Sequence, residues 1–233
     1  MRASLARPIA AAPIARRPYP DPLTVEERCA VEDAITVALG AVFAQGDLAR
    51  PLVEITVTER LATRLNEMLS AGQPVPGFNC RVFETVVVGG EGKNAAGTEL
   101  EKRPDLTVRR CGDHPPGVHR LENALFVECK VIDRTRTMKC YVPAGLARFV
   151  DGRYASAVSV GLMVGYVDGA YSLPITLQQY LNRKDCQCPS QVVQRAGPSL
   201  RGVHETAHTR TWKYPGGGAP GVVCVGHLWM VAG

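Results

Sequence analysis

An α/β fold, with a mixed central sheet flanked by helices, is predicted by three observations. Apolar runs bounded by turn residues at 103–108, 124–133, 158–167 and 222–231 read as strands. Stretches at 24–44, 56–69 and 172–184 repeat apolar residues at helical spacing. The chain has 233 residues, 45% hydrophobic and 21% charged, enough to bury a real core. No apolar run approaches the ~20 residues needed to cross a bilayer.

The first 22 residues are expected to form a disordered basic arm. Arg2, Arg7, Arg16 and Arg17 precede the first acid, Asp21, while Pro8 and Pro13 interrupt the only apolar segment. That pattern argues against a secretory signal, with a transit peptide as the alternative. Residues 23–233 are expected to form one domain in which 185–233 is a C-terminal extension. Its first helix spans Thr24 to Ala44, where Thr24 and Glu27 have capping-box spacing and Val31, Ile35, Ala38, Leu39 and Val42 form the stripe. A second helix is expected from about Thr56, capped by Glu59, with Leu61, Leu65, Met68 and Leu69 inward. Residues 70–77 form a loop and 79–88 the first strand. The glycines at 89, 90, 92 and 97 lie in a loop that lacks the Gly-Lys-Ser/Thr of a phosphate-binding P-loop.

The stretch from Arg103 to Asp133 carries the chemistry. Arg-Pro-Asp-Leu-Thr-Val (103–108) and Ala-Leu-Phe-Val-Glu-Cys-Lys-Val-Ile-Asp (124–133) read as a hairpin with an extended loop. Period-two alternation puts Glu128 and Lys130 on one face and Val127, Cys129 and Val131 on the other. In the right register Asp105 meets Glu128 and Lys130. Magnesium takes hard oxygen ligands and one or two protein carboxylates. Asp105 and Glu128 suit that demand, with the Cys129 carbonyl as a third ligand. Lys130 is then placed to orient or deprotonate a water, or to neutralise charge developing on a phosphodiester. Burial beside a cation is expected to lower its pKa. A hairpin with solvated charges is the plain alternative.

Arg134, Arg136 and Lys139 follow as a basic cluster suited to phosphate. Pro143 is expected to begin a crossover helix marked by Leu146, Phe149, Val150 and Tyr154. On it Arg148 and Arg153 are candidates for nucleic-acid contact or for salt bridges with Asp151 or another acid. Residues 158–167 then form a central buried strand.

The tail contains His204-Glu205-Thr206-Ala207-His208, the His-Glu-x-x-His pattern of zinc hydrolases when helical. Gly202 before it and Thr209-Arg210-Thr211-Trp212 after it do not make an apolar helix. If 222–231 joins the sheet instead, His208, Arg210 and His227 are placed to border a cleft. The eight cysteines make no Cys-x-x-Cys pair and suit free thiols in a reducing cytosol. A zinc group from Cys186, Cys188, His204, His208, Cys224 and His227 lacks the usual spacing.

Pro104-Asp105, followed by Glu128-Cys129-Lys130 at the end of an apolar strand, resembles the signature of the PD-(D/E)XK nuclease superfamily. The order of elements over residues 54 to about 168 is similar to that family's restriction endonuclease-like core: helix, three antiparallel strands, crossover helix, fourth strand. The resemblance implies a metal-dependent nuclease, with magnesium or manganese held by Asp105 and Glu128 and with Lys130 catalytic. It further implies an acidic residue at the first core helix. Glu54 resembles it in placement, ahead of its rivals Glu59 and Glu67. The implied partner is nucleic acid, DNA before RNA, in restriction, repair or phage defence. A homodimer or partner subunits are compatible with this, and no membrane is implied. A catalytically silent subunit of the same fold is the alternative class. A mild net charge of +5 is compatible with a polyanionic partner.

Overall fold

A computed structural model describes residues 23–72, 75–89, 104–112, 123–153, 158–195, 199–200, 202–214 and 218–233. The proposed N-terminal arm, Tyr154 and most of the glycine-rich loop lie outside the described residues.

Helix α1 (Val25–Ala44) begins as its capping residues require. Glu27 N donates to Thr24 Oγ1 at 3.2 Å, and Thr24 N donates to Glu27 Oε2 at 2.8 Å. Two otherwise orphaned N–H groups are thereby satisfied. Thr24→Ala is expected to cost about 1 kcal/mol, read as a lowered urea midpoint. An unchanged midpoint would show that packing alone sets the helix start. The stripe Val31, Ile35, Ala38, Leu39 and Val42 is buried as its spacing predicts.

Helix α2 (Glu54–Ala71) starts two residues before the predicted Thr56. Its N-cap is Val53 with no side-chain cap, so Glu59 has no capping role. It ends at Gly72, whose φ of 66° is left-handed and suits glycine. The strand expected over 79–88 shortens to β1 (Val87–Val88). Upstream, Asn79 organises a turn by accepting from Arg81 N, Val82 N and Phe83 N. The Asn66 side chain takes up both polar groups of Val86, accepting from its N at 2.7 Å and donating to its O at 3.0 Å. A side chain thus replaces a strand neighbour.

The remaining strands are β2 (Leu106–Arg109), β3 (Ala124–Ile132), β4 (Val160–Val167), β5 (Val193–Gln194), β6 (His204–Thr209) and β7 (Val222–Val231). Together they form a seven-stranded mixed sheet in the order β1-β2-β3-β4-β7-β6-β5. Strands β3, β4 and β7 are mutually parallel and all other pairings are antiparallel. Every residue of β3 and β4 is buried, the pattern of parallel strands covered on both faces. On one face α1 and α2 pack over Leu106, Val127, Cys129, Val131 and Val164. The opposite face, with Phe126 and Met163, is covered by Leu146, Phe149, Leu173 and Leu177.

Between β3 and β4 lie α3 (Met138–Tyr141), a π-helical turn (Val142–Leu146) and α4 (Ala147–Val150). Pro143 falls inside the π turn instead of opening the helix. The start is set by Thr137, which accepts from Lys139 N. Helix α5 (Leu173–Leu181) is shorter than the predicted 172–184. Residues after 185 are no peripheral extension. They supply three strands, and β7 pairs with β4 along the whole length of β4. Ten consecutive residues with a buried middle need a neighbour on each side. Among the described residues, no helix is long and apolar enough to cross a membrane.

Candidate active site

Strand β2 begins pairing at Leu106, opposite Val127, whereas β3 continues to Ile132. The N–H groups of Cys129 and Val131 therefore extend past the end of β2 and need other acceptors. Asp105 Oδ2 accepts from Cys129 N at 2.7 Å, and Glu54 Oε2 accepts from Val131 N at 3.2 Å. The Cys129 carbonyl is directed to the same opening. Asp105, next to Leu106 at the end of β2, thus caps the edge of β3 that its own strand leaves unpaired.

These groups converge on Lys130. Its Nζ lies 2.7 Å from Cys129 O, 2.8 Å from Glu54 Oε1, 2.9 Å from Glu128 Oε1 and 3.5 Å from Asp105 Oδ2. Glu128 is fully buried, and Lys130 nearly so. Arg148 Nη1 donates to Glu128 Oε1 at 2.7 Å, so two cations share one carboxylate oxygen. The covering segment fits closely because residue 145 is glycine. A Cβ there would stand 2.5 Å from Met163 Cε and 3.5 Å from Lys130 Cγ. Such π turns are frequent at functional sites.

Among the described residues, three carboxylates facing two cations leave one net negative charge. Burial works against the Lys130 charge, but Glu128, Asp105 and Glu54 outweigh it and raise the pKa above the ordinary lysine value. In this arrangement Lys130 is held as an ammonium donor. Burial raises the Asp105 pKa, against the pull of Lys130 and the Cys129 N–H. The Cys129 side chain sits in the opposite core and its thiol is pushed well up by burial.

The donor set is chemically that of a hard cation: carboxylates and one carbonyl, without sulfur or imidazole. Among the described residues no group of three or more His, Cys, Asp or Glu side chains is disposed to hold a metal ion as it stands. Lys130 Nζ lies between the three carboxylates.

Asp105, Glu128, Lys130, the Cys129 carbonyl and Glu54 are thus brought together. Glu59 and Glu67 are not, since both are exposed on α2 and Glu67 pairs with Arg64 at 2.8 Å. Arg136 is held by Asp133 at 2.5 Å, and Arg153 by Asp151 at 2.7 Å. Lys139 is exposed.

His208 and Arg210 are not presented for nucleic-acid contact, contrary to expectation. Arg210 is buried, donating to Val158 O at 3.0 Å, Pro220 O at 2.6 Å and Gly221 O at 3.3 Å. His208 Nε2 meets Thr206 Oγ1 at 2.7 Å, and Thr206 Oγ1 meets His227 Nε2 at 2.9 Å. The chain ends at Tyr141 Oη, 3.0 Å from His227 Nδ1. Burial lowers the pKa of His208 to about 4 and of His227 to about 3, so both imidazoles are neutral. The His-Glu-x-x-His stretch is strand β6, where residues four apart stand about 13 Å from each other. That spacing removes the shared zinc geometry a helix would provide. The wider Cys/His zinc group does not assemble among the described residues either, and none of the eight cysteines is in a disulfide.

The pairing of Arg148 with Glu128 had no sequence signal. The two lie twenty positions apart, and only the covering segment joins them. A scan against protein-family models, a search of curated proteins and a search of solved structures each return no match to this chain.

Proposed function

We propose that this chain is a metal-dependent nuclease of the PD-(D/E)XK type, hydrolysing phosphodiester bonds in nucleic acid, DNA before RNA. One observation carries the reading: three carboxylates and a strand carbonyl converge on the ammonium of Lys130. Asp105, Glu128, Glu54 and the Cys129 carbonyl are the groups to hold magnesium or manganese. When bound, such an ion acidifies a water and offsets charge on the phosphate. Lys130 supplies hydrogen-bond donors where negative charge develops. Arg148 fixes the Glu128 carboxylate through its hydrogen bond to Oε1. Cysteines without disulfides suit a reducing cytosol.

The test is incubation of the protein with plasmid, linear DNA and RNA, with and without magnesium or manganese. Wild type is expected to cleave only with the metal, and folded Asp105→Asn to lose about 10²–10³-fold in rate. Equal cleavage by wild type and variant would move the catalytic assignment elsewhere. A silent subunit of the same fold is the second reading. It is favoured by one fact, that Lys130 already satisfies the carboxylates. Wild type that neither binds manganese nor cleaves would establish it.

A further inference from the structure

We propose that the outer surface of α3 and α5, adjoining the carboxylate site, is the track on which the phosphate backbone of the nucleic-acid substrate lies. The assignment rests on the nuclease reading. The surface begins where β3 ends, at Asp133, three residues or about 10 Å along the strand from Lys130.

Its first part is a braced loop. Asp133 Oδ1 accepts from Thr135 N and Oγ1, each at 2.9 Å, and from Arg136 N at 2.6 Å. Asp133 Oδ2 accepts from Arg136 Nε at 2.8 Å and Nη2 at 2.5 Å. The buried carboxylate is fully engaged within its own loop, which holds Arg134 outward. Arg134 in the loop and Lys139 at the start of α3 are exposed and make no ion pair among the described residues.

Across a cavity of about 240 Å³ from Lys139 stands α5 and the segment after it. Tyr180 carries the Arg183 guanidinium 5.0 Å from its ring centroid. Arg183 pairs with Asp185 at 2.6 Å, and the exposed Lys184 lies between them in sequence. Thr137 and Gln179 add polar groups to the walls. Lys139 and Arg183 line the groove, and Arg134, Arg136 and Lys184 flank them in sequence; against the acids 133 and 185 these five basic residues leave a net excess of three positive charges. Cations spaced along a groove, hydroxyl and amide groups between them, and one aromatic face match what a sugar-phosphate chain needs. The same excess would repel a cationic partner.

The experiment is titration of fluorescein-labelled 20-mers, duplex and single-stranded, in EDTA at several salt concentrations, so that binding is read without cleavage. Each phosphate contact removed should flatten the plot of log K against log salt by about one. Lys139→Ala/Arg183→Ala is therefore expected to flatten it by about two and to weaken binding several-fold at 0.1 M salt, whatever the sequence. Both positions are exposed, so the variant should fold. Arg64→Ala, on α2, should leave the plot unchanged. A double variant with the wild-type slope, from a protein that still cleaves, would overturn the track and leave the nuclease reading standing. Wild type that neither binds nor cleaves would overturn both. Binding of polyglutamate in place of nucleic acid, lost in the double variant, would reassign the surface to an acidic protein.

Discussion

Lys130→Met is expected to bind manganese at least tenfold more tightly than wild type while losing about 10²–10³-fold in cleavage. The ammonium shares its four oxygen neighbours with any ion the site would hold. An incoming cation must therefore displace a cation already in contact. Methionine keeps the unbranched stem beside Gly145 and removes the charge, raising the net charge of the cluster from one negative to two. Unit charges about 3 Å apart interact by about 5 kcal/mol gross at an effective dielectric near 20. Recovering even a quarter of one such contact gives the tenfold change. Among the described residues, the same substitution leaves Arg148 as the one cation against Asp105, Glu128 and Glu54, so the ion-free variant should melt lower than wild type. Manganese should then raise its melting temperature more than that of wild type. Calorimetric titration with manganese alone reads the affinity directly. A folded variant with weaker or unchanged affinity would show that Lys130 and the ion do not share donors.

Acid should unfold this protein well before ordinary carboxylates titrate. His208 and His227 are held neutral inside the sheet's second face, with values near 4 and near 3 against about 6.5 in an unfolded chain. Between those limits the unfolded chain binds more protons than the folded one, so stability is full above pH 6.5 and falls as pH falls. From pH 7 to pH 4.5 the loss for His227 alone is on the order of 3 kcal/mol. The two imidazoles share Thr206, so protonating one makes protonating the other harder and their contributions do not simply add. Urea unfolding at both pH values checks the size. His227→Gln keeps an amide for Tyr141 and Thr206 and has no proton to gain, so its stability should change less over the same range. Equal pH dependence in wild type and variant would remove the buried imidazole as the cause.

Much of the architecture is legible in local pattern. The Thr24–Glu27 box, the stripe of α1, the continuous apolar runs of β3 and β4, and the final strand all follow from periodicity and capping. The grouping of Asp105 with Glu128 and Lys130 was legible for the same reason. Two strands of a hairpin have only a few registers, and period two then fixes which side chains meet. Local pattern misled where a distant group took over a local role. Strand β1 shortened because Asn66, twenty positions away, took both polar groups of Val86. The expected cap of α2 failed because its first turn began at Glu54, the residue required at Lys130.

By itself, then, the sequence determined the periods, the caps and the one cluster of charge that a hairpin can assemble. Tertiary structure alone decided that β7 lies inside the sheet, so that His208 and Arg210 are interior groups. It also placed Arg148 on Glu128 and selected Glu54 over Glu59 and Glu67. The physical reason is range: propensity and alternation act over a few residues. A buried charge or an unpaired N–H is satisfied by whatever group the packed chain brings within 3 Å, however distant in sequence.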